Sequence, residues 1–279
     1  MLFFLHNKKM NNKISIVMSH FDRCQQMYNT FVSIFLTSIP KDDFEIIVVD
    51  DASSDINEVY NTIKQFDDKL NINLIEIKSE EKKWTNPCIP FNRGFEKINN
   101  DIVIIQNPEC LHVKDILSNT ISEINETNYL SYSCYSVAQA TTDKITEAIK
   151  NNDLDFVKVL SPIQNKRGST YDGWYNHPVL RPCGYHFCSA ITKNNLDKLG
   201  GFDERYAKGY AFDDDEFLFR IKLLRLNIKI VSPDTAFCIH QYHRTLINSR
   251  KMKLWTKNRD IFHRITRKLT IKNLNAKGK

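Results

Sequence analysis

Short apolar runs alternate with amphipathic segments through the first hundred residues of the chain. The runs are four to seven residues long, and each stops at a cluster of polar residues, which is typical of buried strands. The predicted strands span 14–18, 44–49, 71–77 and 101–105. Apolar residues recur at helical spacing between them, which predicts helices over 27–35, 57–66 and 91–98. This alternation indicates a mostly parallel sheet with helices on both faces.

The second half of the chain is less regular. Further strands are predicted at 129–136, 186–192, 228–231 and 235–239, with a helix at 142–151. Residues 161–182 read as one long loop rich in glycine, proline and aromatic residues. A loop of this length inside a compact domain is more often functional than idle.

Three polar clusters follow predicted strands of the first half. They are Ser19 to Arg23, Asp50 to Asp55 and Asn107 to Glu109. Ligands of open parallel sheets bind where the strands end at their carboxyl termini, so these clusters should line one crevice. No glycine-rich phosphate loop is present, and a nucleotide here must have its phosphates held in another way.

Four consecutive carboxylates, Asp213 to Glu216, precede the apolar residues Phe217, Leu218 and Ile221. This pattern predicts the first turn of a helix, where the helix dipole favours negative charge. One interpretation is a solvated acidic cap. The other is a functional site, because crowding four like charges costs repulsion that stability alone does not require.

The net charge of +6 arises from an excess of basic residues at the end of the chain. From Arg244 onward there are twelve lysines and arginines against one acid, Asp260, so residues 1–243 are net acidic. Trp255, Ile261 and Phe262 recur there at roughly helical spacing. The segment is predicted either to pack its apolar stripe on the body or to contact an anionic membrane surface or nucleic acid, and we favour packing.

Neither a membrane span nor a secretion signal is predicted. No apolar run is long enough to cross a bilayer, and residues 1–5 are too few for a signal-peptide core. The seven cysteines are scattered and include no Cys-x-x-Cys pair, so we predict buried free thiols in a cytoplasmic, non-secreted protein. A metal site of Cys183, His186 and Cys188 is disfavoured because its spacing matches no structural zinc pattern.

Several of these motifs occur together in one order and resemble a family 2 glycosyltransferase of the GT-A fold. They are the strand before Arg23, Asp50-Asp51, Asn92-Arg-Gly94, Asn107-Pro-Glu109, Gly200-Gly-Phe-Asp-Glu204, and Asp213 to Glu216 with Arg220. The resemblance implies an α/β, GT-A type fold: a mostly parallel central sheet flanked by helices, a C-terminal acceptor-side region and a helical basic tail. It implies an extension over 1–12, a transferase domain over 13–243 with halves 13–125 and 126–243, and a tail over 244–279.

A nucleotide-sugar donor, commonly a UDP-sugar, is the substrate that the resemblance implies. Ser19 and Phe21 match positions that contact the nucleotide, and Asp51 matches the acid that binds the uracil ring. Asp50 is expected to support the loop. The resemblance adds Asn92 and Asn107 to the donor-binding set. Turn formation and helix capping are the alternative explanation for the two aspartates.

The family's metal-binding Asp-x-Asp motif reads Asn107-Pro108-Glu109 in this chain. The resemblance therefore leaves Glu109 as the direct ligand of Mn²⁺ or Mg²⁺, with His240 or His243 completing the shell. Carboxylate and imidazole suit Mn²⁺, whereas Mg²⁺ prefers oxygen alone. A purely structural role for the two histidines stays open.

Asp214 matches the family's general base, counted back from Arg220. Asp213 and Glu216 flank it on the acceptor side. The aromatic residues Trp174 and Tyr175, together with His177, are predicted either to stack on an acceptor sugar or to belong to the core. Arg181 and Arg205 are weaker candidates for contacting the diphosphate.

The prediction from sequence is an inverting, metal-dependent glycosyltransferase that acts on a glycan, protein or lipid-linked acceptor. No nucleic acid is expected as a partner, and peripheral membrane contact would come from the basic tail. Two alternatives stay open: a nucleotidyltransferase, which lacks support because its glycine-rich loop is absent, and a sugar- or nucleotide-binding module that has lost catalysis, for which Asn107 is the best argument.

Overall fold

The computed structural model describes residues 11–160, 162–168, 171–244 and 249–277. Most of the predicted extension over 1–12 lies outside these residues. The strands are β1 (Ile14–His20), β2 (Phe44–Asp50), β3 (Ile72–Glu76), β4 (Ile102–Gln106), β5 (Cys110–Val113), β6 (Asn128–Ser136), β7 (Gly173–Asn176), β8 (Cys188–Thr192), β9 (Asn227–Val231) and β10 (Phe237–His240). The helices are α1 (Cys24–Phe35), α2 (Ile56–Lys64), α3 (Cys88–Phe95), α4 (Ile116–Glu123), α5 (Gln139–Lys150), α6 (Phe156–Val159), α7 (Lys193–Leu199), α8 (Asp213–Leu223) and α9 (Ser249–Lys277).

One sheet joins both halves of the chain in the order β3-β2-β1-β4-β8-β6-β10-β5, with β7 and β9 also paired to β6. The first four strands of this order are parallel to one another, and β8 runs antiparallel to both β4 and β6. The predicted α/β fold with a mostly parallel sheet is therefore confirmed.

The sheet is buried on both faces, as its apolar strands predict. Along β1, Ile14, Ile16 and Met18 belong to one apolar cluster with α1, whereas Val17 belongs to a second cluster with α3. Successive side chains of a strand point to opposite faces, so both faces carry core. The carboxyl ends of β1, β2 and β4 are left as the open edge.

Among the described residues, two strands and three helices (α4, α6 and α7) were not predicted. Strand β5 follows Glu109 directly and pairs antiparallel with β10, more than a hundred residues away. Strand β7 lies inside the predicted loop 161–182 and pairs with β6. Helix α7 follows β8 without a break. The strands are four residues long, too short for a periodic signal, so their partners in the fold decide their conformation.

The basic terminal segment is helical and packs on the body, as favoured from the sequence. Ile261, Phe262 and Ile265 contact the second apolar cluster. Asn258 is fully buried and donates hydrogen bonds to the carbonyl oxygens of Tyr206 and Ala211. Peripheral membrane contact stays a prediction. No helix within the described ranges has the length and apolarity to cross a bilayer.

Replacing Gly94 by alanine tests how α3 packs on the sheet. A Cβ atom there would lie 2.4 Å from Cγ1 of Val17 and 3.1 Å from Cγ2 of Val49, both fully buried. Alanine normally favours a helix, yet we expect Gly94→Ala to lower the free energy of unfolding by roughly 1–3 kcal/mol through overpacking. Urea denaturation measures it, with the exposed Lys97→Ala as control. Unchanged stability would contradict this packing.

Candidate active site

A cleft of about 530 Å³ opens at the carboxyl ends of β1, β2 and β4. Most of the predicted donor and metal residues line it. These are Ser19, Phe21, Asp51, Asn107, Glu109, His240 and His243. Arg23, Lys82, Trp84 and Phe91 complete much of the wall. The fold thus brings together residues that lie more than two hundred positions apart in the sequence.

Asp51 lies in the donor side of this cleft with both carboxylate oxygens engaged. Trp84 Nε1 donates to Oδ1 over 2.7 Å, and Lys82 Nζ is 3.0 Å from Oδ2. The same ammonium lies 3.6 Å from the ring centroid of Phe21. Burial raises the pKa of Asp51, against the opposing effects of Lys82 and Trp84. A carboxylate oxygen has two lone pairs, so Asp51 retains capacity to accept an N–H from a nucleobase.

Asp50 does not line the cleft but supports its floor. His20 Nδ1 lies 2.9 Å from Oδ1, and Ser53 donates through both its hydroxyl and its backbone N–H. Burial acts to raise the pKa of Asp50, but the hydrogen bonds from His20 and Ser53 outweigh it and lower the pKa. Further along the same cluster, Asp55 accepts from the first amides of α2. The turn explanation, offered for Asp50 and Asp51, therefore fits Asp50, and the helix cap is supplied by Asp55.

Glu109 is a buried carboxylate surrounded by basic groups. Its Oε2 accepts from Arg23 Nη1 over 2.8 Å. Its Oε1 lies 3.3 Å from His240 Nε2 and 3.6 Å from His243 Nε2. Burial acts to raise the pKa of Glu109, yet Arg23 and the two histidines hold it well below its ordinary value. Glu109 is therefore ionised at neutral pH.

The three side chains Glu109, His240 and His243 fit a divalent cation. One ligand atom from each lies within 4.8 Å of the others. One carboxylate oxygen and two imidazole nitrogens suit Mn²⁺ better than Mg²⁺. Burial lowers the pKa of His243 to about 4, which keeps this imidazole neutral and able to bind metal. For His240, Glu109 outweighs burial and raises the pKa.

The acidic run forms the first turn of α8, as predicted, but it is not a solvated cap. Asp213 and Glu216 are buried. Asp213 accepts from Asn86 Nδ2 over 2.7 Å, and burial together with Asp214 raises its pKa to about 6. Ala211 and Phe212, just before the helix, both have positive φ angles of 59° and 66°. Such strain in consecutive non-glycine residues is found mainly at functional sites.

Asp214 is one of the two partly exposed members of the run, with 31% of its side-chain surface accessible. Its Oδ1 lies 2.5 Å from Nδ1 of the buried His186. One backbone hydrogen bond connects this pair to the cleft, because the N–H of Asn107 donates to the carbonyl oxygen of Phe187, the neighbour of His186. The ring of Phe91, which lines the cleft, also contacts His186. Asp214 itself does not line the cleft, and it is linked to the cleft wall through these contacts of His186 and Phe187.

Four predicted site residues lie elsewhere, and these predictions are corrected. Asn92 faces the segment after α7, where its amide donates to the carbonyl oxygen of Phe202. Glu216 forms an ion pair with Arg220 at 2.6 Å and is buried, so it cannot reach an acceptor. Trp174 is buried against Tyr135 and Phe237 in a different cavity.

His177, the fourth, lines that same second cavity, and its Nδ1 accepts the N–H groups of Val179 and Leu180. Tyr175 differs from these, because its ring lies 5.2 Å from that of His240. It stays a candidate for acceptor contact. Arg181 donates to the carbonyl oxygen of Gly168, and Arg205 pairs with Asp203. Neither arginine lines the cleft.

Sequence reasoning gave no catalytic or binding role to Lys82, Trp84 or His186, and it placed Arg23 only as a member of a cluster that lines the crevice. Arg23 lies in the first polar cluster, and its charge next to that cluster was the available signal. Lys82 and Trp84 belong to an irregular segment between β3 and α3, which carries no periodic pattern. For His186, only a disfavoured metal site had been considered. Its contact with Asp214 spans 28 residues and depends on tertiary structure.

Comparison with known proteins identifies the family of this chain. A family model described as glycosyltransferase like family 2 matches residues 26–264. The chain belongs to this family. The resemblance deduced from the sequence is thereby confirmed at the level of the family and of the GT-A fold.

The individual relatives share limited identity. The chain is 26% identical over 223 residues to the dolichyl N-acetyl-alpha-D-glucosaminyl phosphate 3-beta-D-2,3-diacetamido-2,3-dideoxy-beta-D-glucuronosyltransferase of Methanococcus voltae, covering 78% of this chain and 64% of that protein. It is 27% identical over 101 residues to the poly(ribitol-phosphate) beta-N-acetylglucosaminyltransferase TarP of Staphylococcus aureus, covering 36% of this chain and 29% of that protein.

Among solved structures, S. aureus TarS 1-349 in complex with UDP-GlcNAc superimposes with a TM-score of 0.59 at 16% identity, covering 84% of this chain and 60% of that one. The mannosyltransferase PcManGT from Pyrobaculum calidifontis, in complex with GDP-Man and Mn²⁺, gives 0.54 at 17% identity, covering 88% and 60%. The chain therefore spans less than two thirds of the length of each of these proteins. These structural likenesses establish the fold.

The charge cluster around Glu109 predicts how the ligand-free protein responds to pH. The pKa of Glu109 is depressed from 4.5, so its contribution to stability is present above pH 4.5 and is lost as the pH falls through the folded-state pKa. The pKa of His240 is raised from 6.5, so its contribution is present below pH 6.5 and is lost as the pH rises through the folded-state pKa.

We therefore expect the stability difference between wild type and Glu109→Gln to be largest between pH 4.5 and 6.5 and to shrink on either side. Chemical denaturation of both proteins across this range, without added metal, measures it. The exposed Glu80→Gln is the matched control. A difference that does not vary with pH would contradict the assigned charges.

Proposed function

We propose that this chain transfers a sugar from a nucleotide-sugar, with UDP as the nucleotide, to an acceptor hydroxyl with inversion at the anomeric carbon. The observation that carries the proposal is that one cleft contains Asp51 and Glu109 and is linked to Asp214. Asp51 lies in the nucleotide side of the cleft, Glu109 lies with two histidines at its centre, and Asp214 adjoins it through His186 and Phe187.

The nucleotide side offers complementary groups for a pyrimidine ring. Asp51 accepts an N–H of the base, and the exposed ring of Phe21 provides a face for stacking. Lys82, already in contact with both residues, places a positive charge beside the site. These contacts account for nucleotide binding without a glycine-rich phosphate loop.

The charged centre suits the diphosphate. Arg23 brings a guanidinium to the cleft, which can form bidentate hydrogen bonds with phosphate oxygens. Glu109, His240 and His243 would hold a divalent cation, which when bound neutralises the charge that develops on the leaving diphosphate. Asn107, in place of an acidic residue, lowers the negative charge of this centre by one.

Asp214 performs the proton transfer in this proposal. The acceptor oxygen attacks the anomeric carbon while the bond from that carbon to the diphosphate oxygen breaks. The acceptor proton passes to the carboxylate of Asp214. A single displacement of this kind inverts the configuration at the anomeric carbon. Relatives named for polyol-phosphate and dolichyl-phosphate acceptors support a glycan or lipid-linked acceptor.

Nucleotide binding tests the donor half of the proposal. We expect UDP to bind in the presence of Mn²⁺, and Asp51→Asn to weaken binding by roughly tenfold because it replaces an ionised acceptor by a neutral one. Isothermal titration measures it, with the exposed Asp67→Asn as control. Glu109→Gln should remove the dependence on Mn²⁺. Absence of UDP binding to the wild type would refute this half.

Replacing the base tests the catalytic half. Asp214→Asn keeps the shape of the side chain but cannot accept the acceptor proton, and we expect kcat to fall by about 10²–10⁴-fold with UDP binding retained. Initial rates of sugar transfer measure it, once a donor and an acceptor have been identified by screening nucleotide-sugars. Asp215→Asn, the next residue of the same helical turn, is the matched control. Full activity of Asp214→Asn would exclude it as the base.

A binding module without catalysis is the second candidate. The ion pair between Arg23 and Glu109 favours it, because the guanidinium already neutralises the carboxylate that a cation would use. Such a module would bind UDP-sugar and leave it intact. Slow release of UDP from the donor in the presence of Mn²⁺, measured without acceptor, distinguishes the enzyme from the module.

A further inference from the structure

His186 is a buried imidazole that lies among apolar rings and next to the carboxylates of α8. Its ring centroid lies 5.5 Å from that of Phe91 and 4.8 Å from that of Phe202. Its Nδ1 faces Oδ1 of Asp214 at 2.5 Å, and its backbone N–H points to the same oxygen at 3.4 Å. The side chain has only 6% of its surface accessible. Burying an imidazole among apolar rings costs free energy unless its polar atoms are paired.

The four acids of α8 divide their interactions among different partners. Asp213 accepts from Asn86, Asp215 accepts from the hydroxyl of Tyr185, and Glu216 pairs with Arg220. Asp214 forms the ion pair with the imidazole of His186, and it is the member predicted to be the base. This division distinguishes Asp214 chemically from its three neighbours.

The charges around His186 favour its protonated form. Asp214 and Asp213 face it from α8, and the thiol of Cys110 lies on the side of β5. Phe91 and Phe202 contribute no charge. Burial acts to lower the pKa of His186, but the two carboxylates outweigh it and the pKa is raised. The imidazole is thus biased toward the cation that pairs with Asp214.

We propose that His186 is a positioning residue for Asp214, holding one carboxylate oxygen so that the other is available to take the acceptor proton. The inference rests on the proposed function. In the transfer step the acceptor oxygen bonds to the anomeric carbon, the electron pair of the broken carbon–oxygen bond leaves with the diphosphate, and the acceptor proton moves to Asp214. His186 keeps its own proton throughout. It orients Asp214 and takes no part in the proton transfer.

The first test is His186→Gln, which keeps a hydrogen-bond donor but removes the cation. We expect kcat to fall roughly ten- to hundredfold through misplacement of the base, with KM for the donor nearly unchanged. The exposed His263→Gln is the control.

UDP binding and the thermal midpoint are measured on the same preparation to show that the variant is folded. An unchanged kcat in folded His186→Gln would overturn the inference while leaving the proposed function intact. Absence of transfer by the wild type with every nucleotide-sugar would instead overturn the proposed function.

A second measurement does not depend on activity or on the stability of the His186 variant. The imidazole of His186 is titrated by NMR in the wild type and in Asp214→Asn. Because the carboxylate of Asp214 raises the pKa of His186, we expect this pKa to be lower in Asp214→Asn than in the wild type. Equal pKa values in the two proteins would show that the pair is not coupled and would overturn the inference.

Discussion

The buried carboxylate of Glu109 and the positive groups around it constrain the rest of the site. Arg23 follows β1, Glu109 lies between β4 and β5, and His240 ends β10. An ionised carboxylate at this depth is stable only when paired, so these elements are held together by one charge balance. The carbonyl of Glu109 also accepts from the N–H of Gln241, which ties the same two regions through the backbone. The result is a cleft whose centre holds one carboxylate among basic side chains.

The carboxylates in the first turn of α8 are also stabilised by pairing, and each has a different partner. Four adjacent carboxylates would repel one another if left together, but the fold supplies Asn86, His186, Tyr185 and Arg220 to them in order. Two residues with positive φ and the docking of α9 through Asn258 fix where this helix begins. The basic terminal helix therefore contributes to the site from a distance, by supporting the segment before Asp213.

The sequence predicted the elements that have a strong local signal, and most of the residues proposed for the donor line one cleft. Buried runs gave β1, β2 and β4, and the polar clusters that follow them do line one cleft. The roles predicted for Asn92 and Trp174 were wrong for a physical reason. An asparagine that caps a neighbouring segment and a tryptophan that fills a core look the same in sequence as ligand-binding residues, because only their surroundings differ.

What the sequence determined by itself is the alternation of strands and helices, the edge at which ligands bind, and the carboxylates available there. These follow from periodicity and from the geometry of a parallel sheet, which are local or topological properties. Only the tertiary structure determined which charged side chains form pairs. The contacts of Arg23 with Glu109 and of His186 with Asp214 join residues 86 and 28 positions apart, and no local pattern encodes a pairing that arises only when distant strands pack side by side.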